Sequence, residues 1–87
     1  MNYTYSAADE YKLAFSALPI WLQEQILDEL ELLLAHPEQL IVRGGEGLAV
    51  HDFVRKREDT SHLVFLTIRP DPASGTLALL RLGHLER

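Results

Sequence analysis

The sequence has no cysteine, so neither a disulfide nor a thiolate metal site can reinforce it. That absence is compatible with a reducing compartment. Nor does it contain an apolar run approaching the ~20 residues that a membrane-crossing helix needs. Its first ten residues carry no basic cluster and no apolar stretch of the secretory kind. A cytoplasmic protein with no membrane partner is therefore expected. Positive charge is also scarce: 8 Lys and Arg stand against 13 Asp and Glu, a net charge of -5. This balance excludes a broad basic surface for non-specific nucleic-acid binding, so any anion site must be local.

What is present is enough for a packed core. Hydrophobic residues make up 47% of 87 positions, which argues against intrinsic disorder and fits one domain spanning residues 1–87. So small a domain buries only about 60–65% of the surface its unfolded chain exposes, and its stability margin is thin. The charge is unevenly spread. Residues 1–40 hold seven acids and one base, Lys12, whereas residues 41–87 hold six acids and seven bases. The one dense basic stretch is Arg55-Lys56-Arg57, followed at once by Glu58 and Asp59. Read by itself it is a charged, solvated turn.

Periodicity divides the chain into a helical front and a strand-rich back. Asn2 to Tyr5 reads as a short strand, after which Ser6 is a plausible N-cap for a helix from about Ala7 to Ala17. Asp9 and Glu10 suit its first turn, where the helix dipole favours negative charge. Pro19 breaks the pattern and restarts it. From there to Ala35, Leu22, Ile26, Leu30, Leu33 and Leu34 fall at helical spacing, with Gln23, Asp28 and Glu31 opposite them. His36-Pro37 ends this second helix. The two form an antiparallel hairpin. Gly44, Gly45 and Gly47 mark a loop that lacks the Lys-Ser/Thr ending of a nucleotide-binding loop. Three strands follow, at Leu48–Val54, Ser61–Arg69 and Thr76–Gly83, the last two separated by the turn cluster Pro70 to Gly75. The expected class is α+β: a short N-terminal strand and a helical hairpin packed on an antiparallel sheet, β-α-α-β-β-β. The last two strands are apolar on both sides, and two helices cover one side well. A partner chain or an unusually hydrophobic surface is expected on the other.

The ordered set Leu18-Pro19, Gln25-Ile26, Leu30 through Pro37, Val50-His51-Asp52-Phe53, His62 through Ile68 and Leu79-Leu80-Arg81-Leu82-Gly83-His84 resembles the RelE/ParE superfamily of bacterial toxins across nearly the whole chain. The resemblance implies the toxin component of a type II toxin–antitoxin system, held by a cognate antitoxin. RelE-like members are ribosome-dependent endoribonucleases whose partners are the ribosome and mRNA. The alternatives are a ParE-like inhibitor of DNA gyrase and a catalytically inactive protein-binding module, and a homodimer is open. The resemblance also implies where the chemistry lies. Arg55, Lys56 and Arg57 occupy the place of the family's first basic group, and Arg81 and His84 the last strand and its exit. The catalytic candidates are thus His84, Arg81 and Arg55, and the RNA-binding candidates are Lys56, Arg57, His51 and His62. Leu63 and Leu85 stand where RelE-type nucleases tend to carry basic residues.

Cutting RNA by such a site needs a base for the 2′-hydroxyl, cations for the scissile phosphate and a proton for the leaving oxygen. Imidazoles can act as base or acid near neutral pH. His51 and His62 sit on adjacent strands and are expected to face one concavity, although beside Asp52 and at a strand start each also suits a structural role. Trp21 is expected to pack at the helix junction. The four histidines, spaced by 15, 11 and 22 residues, match no local ligand pattern, so neither a metal nor a cofactor is expected.

Overall fold

Leu22, Ile26, Leu30 and Leu33 lie on one stripe of a helix and are all fully or almost fully buried. In the computed structural model, which describes residues 2–87, this helix is α2 (Ile20–Ala35) and packs across a five-stranded sheet. It is preceded by β1 (Thr4–Ala7) and α1 (Asp9–Ser16) and followed by a short 3-10 turn, Pro37–Gln39. Then come β2 (Val42–Arg43), β3 (Leu48–Arg57), β4 (Thr60–Asp71) and β5 (Thr76–Glu86). The strand order is β1-β5-β4-β3-β2. The α+β hairpin-on-sheet architecture is thus as expected. All pairings are antiparallel except that of β1 with β5, which is parallel.

The two helices meet at Leu18-Pro19. Gln23 Nε2 donates to the carbonyls of Phe15 and Leu18, both at 3.0 Å, and so satisfies acceptors that the end of α1 leaves without intrahelical partners. On the sheet, alternation decides which side chains enter the core. Ala49 and Phe53 of β3, Val64, Leu66 and Ile68 of β4, and Leu77 and Leu79 of β5 are buried beneath the two helices. Burial of each large aliphatic side chain here contributes roughly 1.5–3 kcal/mol. The opposite face carries Val50, Val54, Phe65 and Leu85, all exposed. The open apolar face anticipated from the sequence is therefore present.

Several boundaries differ from the sequence expectation. Ser6 belongs to β1 and caps nothing; Ala8 occupies the N-cap of α1 and makes no side-chain cap hydrogen bond. Residues 42–43 form a strand ahead of the glycine turn, in which Gly44 and Gly47 adopt positive φ. The basic stretch Arg55-Lys56-Arg57 is not a turn: β3 runs through it, and Arg57 pairs with Thr60. The chain reverses in only two residues, Glu58 and Asp59, with Glu58 at φ 57°. β5 also runs past Gly83 to Glu86, and it contains a bulge. Ile68 pairs with Leu79 but Thr67 with Arg81, so Leu80 is the extra residue.

The bulge exchanges the two faces of β5. Leu77 and Leu79 face the helices before it; Leu82, His84 and Glu86, paired with Leu66, Val64 and His62, do so after it. Gly83 then falls on the open face opposite Phe65, whose ring covers it. A Cβ at Gly83 would lie 2.0 Å from that ring. Gly83→Ala must push the half-exposed Phe65 ring aside, and we expect a loss of about 1–2 kcal/mol that disappears in a Phe65→Ala background. Urea unfolding of the two single variants and the double variant measures this coupling; additive losses would contradict the account.

Tyr11 of α1 is 5% exposed and its hydroxyl has no hydrogen-bond partner among the described residues. Burial, with a smaller contribution from Tyr5, pushes its pKa up to about 12 from 10.0. The folded state therefore holds this proton more tightly than the unfolded chain. Its contribution is intact below pH 10 and is lost as pH rises from 10 to about 12. Tyr11→Phe removes an unpaired buried polar group, so we expect thermal stability at neutral pH to be unchanged or raised, by up to about 1 kcal/mol. The same variant should flatten the decline in melting temperature above pH 10.

Candidate functional site

The polar side of α2 comes down onto the strands at two places. At the first, Gln25 and Glu29, one helical turn apart, meet the helix-facing side chains of β3. Glu29 Oε1 accepts from His51 Nε2 at 2.9 Å and Oε2 from Arg55 Nη2 at 3.0 Å. Arg55 Nε donates to Gln25 Oε1 at 2.9 Å, and its guanidinium lies over the Phe53 ring. One half-buried carboxylate thus holds a histidine and an arginine together. This network occupies the donors of Arg55 that a phosphate would need.

At the second place, near the start of α2, Trp21 stands edge-on to His62, with ring centroids 4.8 Å apart. Arg57 lies over the Trp21 ring, 4.9 Å from its centroid. Trp21 therefore packs on the sheet, not within the helix junction. His62 is buried, and its Nδ1 is 3.0 Å from Nε2 of the half-buried His84. The rings are parallel within 4° with centroids 5.2 Å apart. The gap between the nitrogens accounts for all of that separation but two ring radii, so the two nitrogens point at each other. Such a hydrogen bond requires one of them to carry the proton and the other to accept it. Glu86, two residues beyond His84 and paired in register with His62, lies beside them, within 4.8 Å for the ligand atoms of all three.

The residues singled out in the sequence therefore do not form one cluster. His62, His84 and Arg57 come together at one end of the helix-facing side. His51 and Arg55 share that side but belong to the Glu29 network. Arg81 stands apart, opposite Thr67, with Nε 3.5 Å from Glu10 of α1, both side chains exposed. Lys56 alternates to the open face, opposite Ser61. On that same face Val54, Leu63 and Leu85 form a continuous cross-strand row. The places where RelE-type nucleases tend to be basic are thus apolar here. Sequence reasoning missed Trp21, Gln25, Glu29 and Glu86. Helical spacing alone gives Gln25 and Glu29 no partner, and only the sheet beneath them supplies His51 and Arg55.

The sequence matches no protein-family model and no curated protein. Its fold, by contrast, is that of the RelE toxins. A variant of the E. coli toxin RelE in the free state superposes with a TM-score of 0.74 at 16% identity, covering 95% of this chain and 83% of that one. The intact E. coli RelBE toxin–antitoxin complex gives 0.69 at 17% identity, covering 98% and 99%. A RelBE complex from Mycobacterium tuberculosis gives 0.66 at 19%, covering 98% and 100%. At such identities the likeness is one of fold. No helix among the described residues is long and apolar enough to cross a membrane.

The Glu29 network yields a stability prediction. Glu29→Ala leaves His51 without this acceptor and Arg55 without its carboxylate partner, with Gln25 still accepting from its Nε, and we expect a loss of about 1–3 kcal/mol. Arg55→Ala should cost less, because His51 retains its carboxylate. Equal losses in a thermal-denaturation comparison would contradict this ranking.

Proposed function

We propose that this chain is the toxin component of a type II toxin–antitoxin pair. The supporting observation is the likeness of fold, over nearly the full length, to chains from two toxin–antitoxin complexes. The open apolar face agrees with it. A cognate antitoxin laid over Val50, Val54, Phe65 and Leu85 would remove from water a surface that the helices cannot reach.

The activity we assign is cleavage of ribosome-bound mRNA in the cytoplasm. In that reaction the 2′-hydroxyl, losing its proton to a base, attacks phosphorus, and the 5′-oxygen departs with a proton from an acid. Nucleophile and leaving group lie on opposite sides of the phosphate. Two nitrogens 3.0 Å apart cannot serve both sides. His84, the more accessible of the pair, is therefore the group that exchanges a proton with RNA, and His62 is a positioning residue that fixes its orientation. Arg57, stacked on Trp21 beside them, is a local cation for the phosphate. Lys56 on the other face and Arg81 beside Glu10 contribute at most to docking.

A second reading is favoured by one observation, the apolar row of Val54, Leu63 and Leu85. A protein that binds without cutting, such as a gyrase inhibitor or an inactive module, has no need of basic residues there. The experiment that separates these readings is labelled amino-acid incorporation in bacteria within minutes of inducing the chain, paired with gyrase supercoiling in vitro. The nuclease reading expects a rapid collapse of incorporation, with messenger cleavage slowed by about 10²-fold in His84→Ala and little affected in Arg55→Ala. Unchanged incorporation with impaired supercoiling would assign the protein to gyrase. If both are unchanged, the silent binding module remains.

A further inference from the structure

We infer that His62, His84 and Glu86 form a binding site for a divalent transition metal of the zinc class. The three residues come from two neighbouring strands. His84 and Glu86 project from the same side of β5, and His62 lies opposite Glu86 on β4. Each offers one ligand atom, and all three atoms lie within 4.8 Å of one another. Two imidazoles and a carboxylate are a donor set that zinc takes with a water molecule in the fourth position.

The two nitrogens already stand close to the separation that a shared metal requires. Bonds of ~2.0–2.1 Å in a tetrahedron place two nitrogen ligands about 3.3–3.4 Å apart. The His62 and His84 nitrogens stand 3.0 Å apart, so the rings need part by only a few tenths of an ångström, but each must also turn so that its lone pair meets an ion lying to one side of the line between them. His62 is fixed by burial and by its perpendicular packing against the Trp21 ring. His84 is half-buried and Glu86 exposed, so the carboxylate is free to swing in and the remaining coordination position faces solvent.

The other histidines do not offer the same arrangement. His51 faces Glu29, but Arg55 already occupies that carboxylate and its positive charge opposes a second cation. His36 meets only Glu38, at 3.4 Å, with both side chains largely exposed. Glu86, by contrast, has no ion-pair partner among the described residues. Of the nearby cations, the guanidinium of Arg55, whose backbone pairs with His62, is turned away to Gln25 and Glu29, and that of Arg57 is stacked on the Trp21 ring. The linear spacing of the histidines hides this site. It is created by the β4–β5 register and by the bulge at Leu80.

The inference shares His62 and His84 with the nuclease reading but does not depend on it, and its test contains no RNA. Zinc chloride is titrated calorimetrically into the tag-free full chain in a non-coordinating buffer, with wild type, His84→Ala, Glu86→Gln and His51→Ala compared. The expected result is one ion per chain for wild type and for His51→Ala, with affinity reduced about tenfold or more in the other two. Circular dichroism establishes that each variant is folded. Glu86→Gln changes an exposed side chain and so keeps the test valid if His84→Ala is not. Cobalt titration gives an independent readout, a visible absorption band in wild type that is lost in Glu86→Gln. Equal weak binding by all four proteins, or a loss confined to His51→Ala, would overturn the assignment.

Discussion

The extra residue at Leu80 sets the chemistry of the whole sheet. A β-strand alternates its side chains with a period of two, so a strand without a bulge would carry Leu77, Leu79, Arg81 and Gly83 on one side throughout. The inserted residue reverses that parity midway. Leu77 and Leu79 remain in the core at one end, and Leu82, His84 and Glu86 take over at the other. Without it His84 would look away from the helices, Gly83 would face the core, and the Phe65 ring would have nothing flat to cover. The imidazole pair, the carboxylate beside it and the ring over Gly83 all follow from one interruption of the ladder.

A second constraint comes from the helical side. α2 covers the central strands with leucine and isoleucine, but its footprint extends over positions where β3 and β4 carry Arg55, His51 and His62. Charged and polar groups caught under a helix must be paired. Glu29 and Gln25 meet that demand at one place and Trp21 at the other. A single helix therefore makes both the core and the framework of the site. The arginine that the resemblance marks as a catalytic candidate, Arg55, is for the same reason already engaged.

The sequence made the scaffold legible and the site only in part. α2 could be read because Leu22, Ile26, Leu30 and Leu33 repeat at helical spacing, and burial follows that spacing directly. The two sides of β3 and β4 could be read from alternation, including the exposed row that needs a partner. Arg55 to Arg57 were misleading because charged residues next to acids resemble a solvated turn. The real turn is two residues, formed without glycine or asparagine, and so lacks the usual signal. Ser6 looked like a cap, but its backbone was claimed by pairing with β5. His62 and His84, 22 residues apart, could not be seen as neighbours, because their contact depends on register and a bulge that periodicity does not encode.

The parallel pairing of β1 with β5 has a consequence for how the protein is made. These are the first and last elements of the described chain, and β1 has no other strand to pair with. On a ribosome, the helical hairpin and the β3–β4 hairpin can form from local contacts as they emerge. The edge of the sheet cannot close until residues 76–79 have been synthesised and released from the exit tunnel. The strand that carries His84 is also the last of the described strands to emerge. The completed sheet edge and the imidazole pair therefore depend on the same strand, and neither forms before β5 has emerged.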